Sequence, residues 1–251
     1  MPTEVAVDEI LLAIGFDRES AWYPVTGGAD ALLWKIEAGT DTFALRLLSE
    51  HQHAQSATEI EISDWITRRS SSVVVPRIVH SGSWNGRPAY LMSWIDGQAL
   101  GNALLDPSTS SETRASLAES FGETQAHIHS MTPPPGLQRF SDSWRSRIGD
   151  PALQNALNLH ATGRDAFLHL DFHPLNILVE GDRLVAVLDW ANAEIGDPII
   201  DLARTEAILQ LAPTPPGTDP ALIDNLIAGW KHGYERVAGP ADIPDVARWW
   251  A

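Results

Sequence analysis

His169-Leu170-Asp171-Phe172-His173-Pro174-Leu175-Asn176-Ile177-Leu178-Val179 leads through a Gly181-Asp182 turn into Leu184-Val185-Ala186-Val187-Leu188-Asp189-Trp190. The first part sets an Asp and an Asn on a short loop that enters an apolar strand. The second returns along another apolar strand and ends in a further Asp. Asp171, Asn176 and Asp189 are thereby brought toward one edge of a hairpin. Phosphoryl transfer uses such a set: one carboxylate accepts the proton of an attacking hydroxyl, while an Asn and a second Asp hold magnesium against a triphosphate. A hairpin with polar residues at its ends is the plain structural alternative.

The spacing His-x-Asp-x-x-x-x-Asn is also that of the catalytic loop of protein kinases, which makes the preceding residues worth reading for a nucleotide site. Pro24 to Asp30 is a turn of small residues before the strand-like Ala31 to Ile36, and its Gly27-Gly28 would let backbone N–H groups approach phosphates. Gly-Gly is equally a hairpin signal. Thr42 to Leu48 reads as the next strand, and Arg46 in its middle needs a partner, because an unpaired charge among apolar neighbours is costly. Ala54 to Arg69 supplies one if helical: Ile60, Ile62 and Ile66 span one face, Glu59 falls inside that sector, and Glu61 points away. Lys35, on the preceding strand, is a second cation but reads as a surface residue.

Val73-Val74-Val75 and Ile78-Val79 are short extended segments, and Ala89 to Ile95 is the strongest strand of the first half, ended by Asp96-Gly97. Backbone groups of Ser93 to Ile95 could face an adenine edge. Elsewhere, helices are expected from Val5 to Ile14, with Thr3 as cap and Gly15 closing it, and from Ser110 to Met131, where Leu117, Phe121, Gln125 and Ile128 recur at helical spacing. His127 and His129, two apart, cannot share a helix face as metal ligands, so packing and C-terminal charge are their expected roles. Further helices are expected over 152–160, around Asp201 and Ile208, and from Ala221 to Val237. Asp197 could fix the loop after Asp189, and Asp201 could tie the next helix to the Asp171 loop; either could instead answer the helix dipole.

A chain of 251 residues, 44% hydrophobic, can bury a sizeable core in two lobes or one large domain. It has no cysteine, so thiolate metal sites and disulfides are excluded. The net charge of −16 argues against nucleic acid as a partner, since phosphate binding needs clustered Lys and Arg. An acidic balance suits a cationic substrate as well as plain solubility. No apolar run reaches the length of a membrane span and the start lacks a signal pattern, so a cytoplasmic protein is expected.

On the Asp171–Asn176 segment, Leu188-Asp189-Trp190, Gly196-Asp197-Pro198, Asp201-Leu202-Ala203 and Tyr90 to Gly97, the chain resembles the aminoglycoside phosphotransferase family, small-molecule kinases with a protein-kinase-like fold. The resemblance runs from the Gly27-Gly28 turn to the helix after Asp201. It implies an α+β, two-lobed fold: a small antiparallel-sheet nucleotide lobe over 1–96 and a larger, mainly helical catalytic and substrate lobe over 97–251. It further implies ATP or GTP with Mg2+ as cofactors, Asp171 as catalytic base, and Asn176 and Asp189 as magnesium ligands. Ser93 and Ile95 would meet the adenine through their backbone, and Arg46, backed by Glu59, the phosphates. Family members usually carry Lys at the Arg46 position. The acceptor would be a small-molecule hydroxyl, on an aminoglycoside or other antibiotic or on a metabolite such as choline, an amino acid or a sugar. A non-catalytic nucleotide-binding relative is the competing function.

Overall fold

Period-two alternation shapes the first part of the chain: Leu32–Ala38 buries Trp34, Ile36 and Ala38 and turns the intervening residues outward. The computed structural model describes residues 6–25, 31–70, 72–143 and 151–251. These fall into two compact units, Met1–Arg69 with Val75–Ile95, and Ser70–Val74 with Asp96–Ala251.

The first unit holds helix α1 (Val7–Ala13), strands β1 (Ala21–Pro24), β2 (Leu32–Ala38) and β3 (Asp41–Leu47), helix α2 (His53–Arg69), and strands β4 (Ile78–Trp84) and β5 (Arg87–Ser93). The strands form one antiparallel sheet in the order β1-β2-β3-β5-β4. Val7, Ile10 and Leu11 of α1 share one core with Trp34, Ile36 and Leu91 of the sheet. The cap expected at Thr3 lies outside the described residues; Ala6 stands at the cap position without a side-chain bond, and Gly15, at φ 80°, ends the helix. β4 extends five residues beyond the expected Ile78-Val79. It pairs with β5 across Asn85-Gly86, both at positive φ (49° and 76°), the two-residue turn that Asn-Gly favours. Val73 to Val75, expected to be extended, forms no strand.

The second unit contains β6 (Gln98–Ala99), α3 (Leu100–Leu105), α4 (Ser111–Ser130), α5 (Pro151–His160), β7 (Ala166–Leu168), β8 (Ile177–Glu180), β9 (Arg183–Val187), β10 (Glu194–Gly196), α6 (Pro198–Leu211), α7 (Pro220–Ala238) and α8 (Asp245–Trp250). Two small antiparallel sheets, β6-β8-β9 and β10-β7, carry the polar loops. Ser110 caps α4 by accepting from Thr113 N–H, and Asp219 caps α7 just before Pro220. α4 and α7 touch backbone to backbone: a Cβ placed on Gly122 would stand 1.9 Å from the Trp230 carbonyl, and one on Gly233 would stand 2.0 Å from that of Glu119. The stacked rings of Phe121 and Phe172, 4.5 Å apart, join α4 to the polar loop. Among the described residues no helix is long and apolar enough to cross a membrane.

Candidate active site

β7 delivers the chain buried to Leu168, and the loop 169–176 then departs from regular structure at one residue, Leu170, whose φ is +60°. A non-glycine residue held there costs about 1–3 kcal/mol, so its surroundings must hold it. They do so through three bonds: Leu170 N–H donates to Asp201 Oδ1 at 2.6 Å, Arg204 Nε–H donates to the Leu170 carbonyl at 2.8 Å, and His169 N–H donates to Asp201 Oδ2 at 3.2 Å. Asp201 therefore ties α6 to the Asp171 loop. Asp197 has a different task, capping α6 through Ile199 N–H and accepting from the backbone and hydroxyl of Thr162.

The His169 ring is fully buried and zips the loop to the end of β9. Its Nε2 lies 3.0 Å from the Leu188 carbonyl and its Nδ1 accepts from Asp171 N–H at 3.2 Å. Burial pushes its pKa below the ordinary 6.5, against the pull of Asp201 and Asp171, and a neutral ring with its proton on Nε2 satisfies both contacts. Leu188 N–H returns the link by donating to the Asn176 carbonyl at 2.8 Å. Asp189 follows immediately, also at positive φ (59°).

Asp171 and Asn176 meet directly. The Asn176 amide nitrogen donates to the Asp171 carbonyl at 3.0 Å and lies 3.3 Å from Asp171 Oδ2. That leaves Asn176 Oδ1 as the end facing away from Asp171. His173, whose part sequence reasoning missed, has Nε2 3.7 Å from Asp171 Oδ2 and 3.2 Å from the Asn176 amide nitrogen, while its Nδ1 accepts from Leu175 N–H. Burial pushes the Asp171 carboxyl up, but the His173 ring beside it, with the Arg204 guanidinium behind it, outweighs burial and holds it below the ordinary 3.8. Asp171 is thus an ionised, half-buried acceptor at neutral pH.

In the first unit, the Arg46–Glu59 pair forms as expected. Arg46 Nη1 donates to Glu59 Oε1 at 2.9 Å and to Oε2 at 3.1 Å. Tyr90, directly opposite Arg46 on β5, adds a 2.6 Å bond to Glu59 Oε2. Lys35, on the neighbouring strand, pairs with Glu37 at 2.9 Å and lies over the Trp94 ring. Ser93 N–H donates to the Arg77 carbonyl and Trp94 N–H to that of Thr42, so the sheet uses both, and Ile95 follows just outside the ladder. Gly27 and Gly28 lie outside the described residues.

No group of three or more His, Cys, Asp or Glu that could hold a metal ion occurs among the described residues. Asn176 and Asp189 nonetheless offer oxygen donors on loops bonded to each other. A hard cation such as Mg2+ commonly takes one or two protein oxygens and fills the rest of its shell with water and substrate phosphates.

His129 departs furthest from expectation. Expected to serve packing and C-terminal charge, it is buried and bonds Asp201 Oδ2 through Nε2 at 2.9 Å. Gln125, one turn earlier, donates to Asp201 Oδ2 at 3.2 Å and to Thr205 Oγ1 at 2.9 Å. The signal was present: Gln125 and His129 are polar residues four apart on the same helix as Leu117, Phe121 and Ile128. Burial pushes the Asp201 carboxyl up, but His129 and Gln125 outweigh it and hold it below 3.8. A folded pKa below the unfolded one adds stability that is present above the unfolded value and is lost as pH falls through the folded one. Melting temperature should therefore fall steeply below about pH 4, where the unfolded carboxyl begins to take up its proton first. Asp201→Asn should flatten that acid dependence; an unchanged slope in thermal melts would show that Asp201 does not carry it.

A family profile described as the phosphotransferase enzyme family, APH, matches residues 22–240. Among solved structures, the aminoglycoside phosphotransferase APH(4)-Ia is similar at a TM-score of 0.68 and 16% identity, over 98% of this chain and 88% of that one. APH(2")-IIIa in complex with GDP and kanamycin is similar at 0.64 and 16%, over 98% and 87%. Spectinomycin phosphotransferase APH(9)-Ia in complex with ADP and spectinomycin is similar at 0.60 and 13%, over 100% and 84%. Among curated proteins no sequence matches significantly. The neighbours share the α+β, protein-kinase-like fold, and with most of its length matched by the profile, this chain belongs to the phosphotransferase enzyme family.

Proposed function

We propose that this chain transfers the γ-phosphoryl group of ATP or GTP to a hydroxyl of a small molecule, with magnesium. The observation that carries this is the bonded pair of Asp171 and Asn176, locked to the strand end before Asp189. In this reading the ionised Asp171 orients the acceptor hydroxyl and takes its proton. Asn176 Oδ1 and the Asp189 carboxylate hold the magnesium ion, which supplies charge neutralisation on the phosphates. Arg46, fixed by Glu59 and Tyr90, grips phosphate oxygens; a guanidinium can do so in bidentate fashion. Ser93 and Ile95 meet the base through backbone groups, Gly27 and Gly28 the phosphates. Residues 1–96 are then the nucleotide lobe and 97–251 the catalytic and substrate lobe of a cytoplasmic enzyme.

Solved relatives hold hygromycin B, kanamycin and spectinomycin, and the net charge of −16 suits such amine-bearing acceptors. We therefore place an aminoglycoside first among acceptors, ahead of choline, amino acids and sugars. The test is a panel of these compounds with magnesium and ATP or GTP, read by nucleoside diphosphate release and by gain of one phosphoryl group in the acceptor's mass. Transfer to none of them would defeat the reading.

Arg46 provides a second check. Arg46→Met should weaken ATP binding by roughly ten- to a hundredfold, the worth of one charge-assisted hydrogen bond. Arg46→Lys should keep most of it. Calorimetric titration with ATP reads both, and wild-type affinity in Arg46→Met would remove Arg46 from the site.

A further inference from the structure

Among the described residues, two buried titratable side chains that the reaction described above does not use stand in line behind Asp201: His129, near the end of α4, and Tyr234, in α7, at 4% and 3% exposure. His129 Nδ1 and Tyr234 Oη are 2.8 Å apart, and the rings meet edge to face at 5.5 Å. Burial pushes the Tyr234 phenol up to about 12, so its hydroxyl stays protonated. The other ring nitrogen of His129, Nε2, faces Asp201 Oδ2. A carboxylate only accepts, so Nε2 carries a proton.

We propose that His129 and Tyr234 are positioning residues for phosphate transfer: by fixing the Asp201 carboxylate they hold the backbone turn at Leu170 that aims Asp171. The inference rests on the kinase reading for its catalytic consequence, but its structural part does not. Asp201 is the joint. One of its oxygens receives Leu170 N–H, and the other receives His169 N–H, His129 and Gln125. A carboxylate that rotates to find a new partner surrenders both loop amides together. Leu170 is held at φ +60° by these bonds and that of Arg204, and Asp171 is the next residue. Tyr234 fixes the far side of the imidazole, so a chain of contacts runs from α7 through α4 and α6 to the catalytic loop. If His129 only filled space, an apolar residue of similar size would serve equally well.

The experiment compares wild type with His129→Leu, His129→Gln and Tyr234→Phe as full-length chains, following hydrogen–deuterium exchange and ADP release from magnesium-ATP with the acceptor panel above. Gln keeps an N–H directed at Asp201, and Phe keeps the ring. In His129→Leu the amides of His169 and Leu170 should lose protection while those of α4 and α7 keep theirs. ADP release at saturating ATP should fall by about ten- to a hundredfold, as for a small misplacement of a reacting group, with the KM for ATP unchanged. His129→Gln should recover most of this. Tyr234→Phe should show a smaller loss in the same direction, and no further loss when combined with His129→Leu. Wild-type loop protection in both His129→Leu and Tyr234→Phe overturns the proposal, as does loosening of the loop with undiminished turnover. A general fall of protection across α4 and α7 in His129→Leu and Tyr234→Phe also overturns it, because that marks a packing role. Loop loosening together with a wild-type chain that transfers no phosphate would instead uphold the positioning and defeat the kinase reading.

Discussion

Asp171→Asn is expected to bind ATP as the wild type does and to transfer phosphate about a hundred- to ten-thousandfold more slowly, the usual worth of a positioned general base. The substitution is nearly isosteric, so the Asp171 N–H bond to His169 and the carbonyl bond from Asn176 remain. What is lost is the acceptor of the hydroxyl proton. Because the wild-type carboxyl is held below 3.8 by His173 and Arg204 against its burial, it is ionised throughout the neutral range. The wild-type rate should accordingly show no acid limb from Asp171 above about pH 4. Calorimetry with ATP and steady-state ADP release separate the two effects. Wild-type turnover in the variant would remove Asp171 from the chemistry, and lost ATP binding would mean that the substitution had disturbed the loop.

Gly233→Ala is expected to lower stability by about 3 kcal/mol, as overpacking at a backbone contact does, although Ala is the better helix former by about 1 kcal/mol. For a chain of this size that is a fall of roughly 6–12 °C in melting temperature. The added methyl would stand 2.0 Å from the Glu119 carbonyl oxygen, and the reciprocal change Gly122→Ala would stand 1.9 Å from that of Trp230. Neither neighbour is a side chain that could swing aside, so α4 and α7 must separate. Gly122 also lies within 2.6 Å of Tyr234 N by the same construction, so separation would lengthen the His129–Tyr234 contact. Differential scanning calorimetry decides the matter: an unchanged midpoint in either variant would mean that the two helices have room to spare.

Much of the candidate site was legible because its chemistry sits on short local segments. The hairpin after Asn176, its Gly181 turn and the final Asp189 follow from two short apolar runs joined by a Gly-Asp turn. Glu59 could be chosen over Glu61 because helical geometry alone fixes which carboxylate shares a face with Ile62 and Ile66. The β4–β5 turn was equally local: Asn85-Gly86 announces a two-residue hairpin, yet His80 to Trp84 is too polar to read as a strand unless that turn is given weight. Tyr90 on Glu59 and His173 beside Asp171 were missed for another reason, since neither residue type demands a partner as a charge in an apolar strand does.

By itself, the sequence determined the segments and their chemistry: the sheet strands with Arg46, the amphipathic helices around Leu117 and Phe121 and from Ala221 onward, and the loop with Asp171 and Asn176. Each depends on residues within a turn or two of one another, where spacing dictates direction. Only the tertiary structure decided that Asp201 holds the loop amides, that His129 and Gln125 hold Asp201, and that Gly122 and Gly233 let α4 and α7 touch. Those partners lie from about thirty to more than a hundred residues apart, and at such separations spacing could suggest a tie from Asp201 to the Asp171 loop but could not choose it over a dipole role or point to His129 and Gln125. That choice falls to helix packing, because a buried carboxylate left without donors would cost more than the fold can spare.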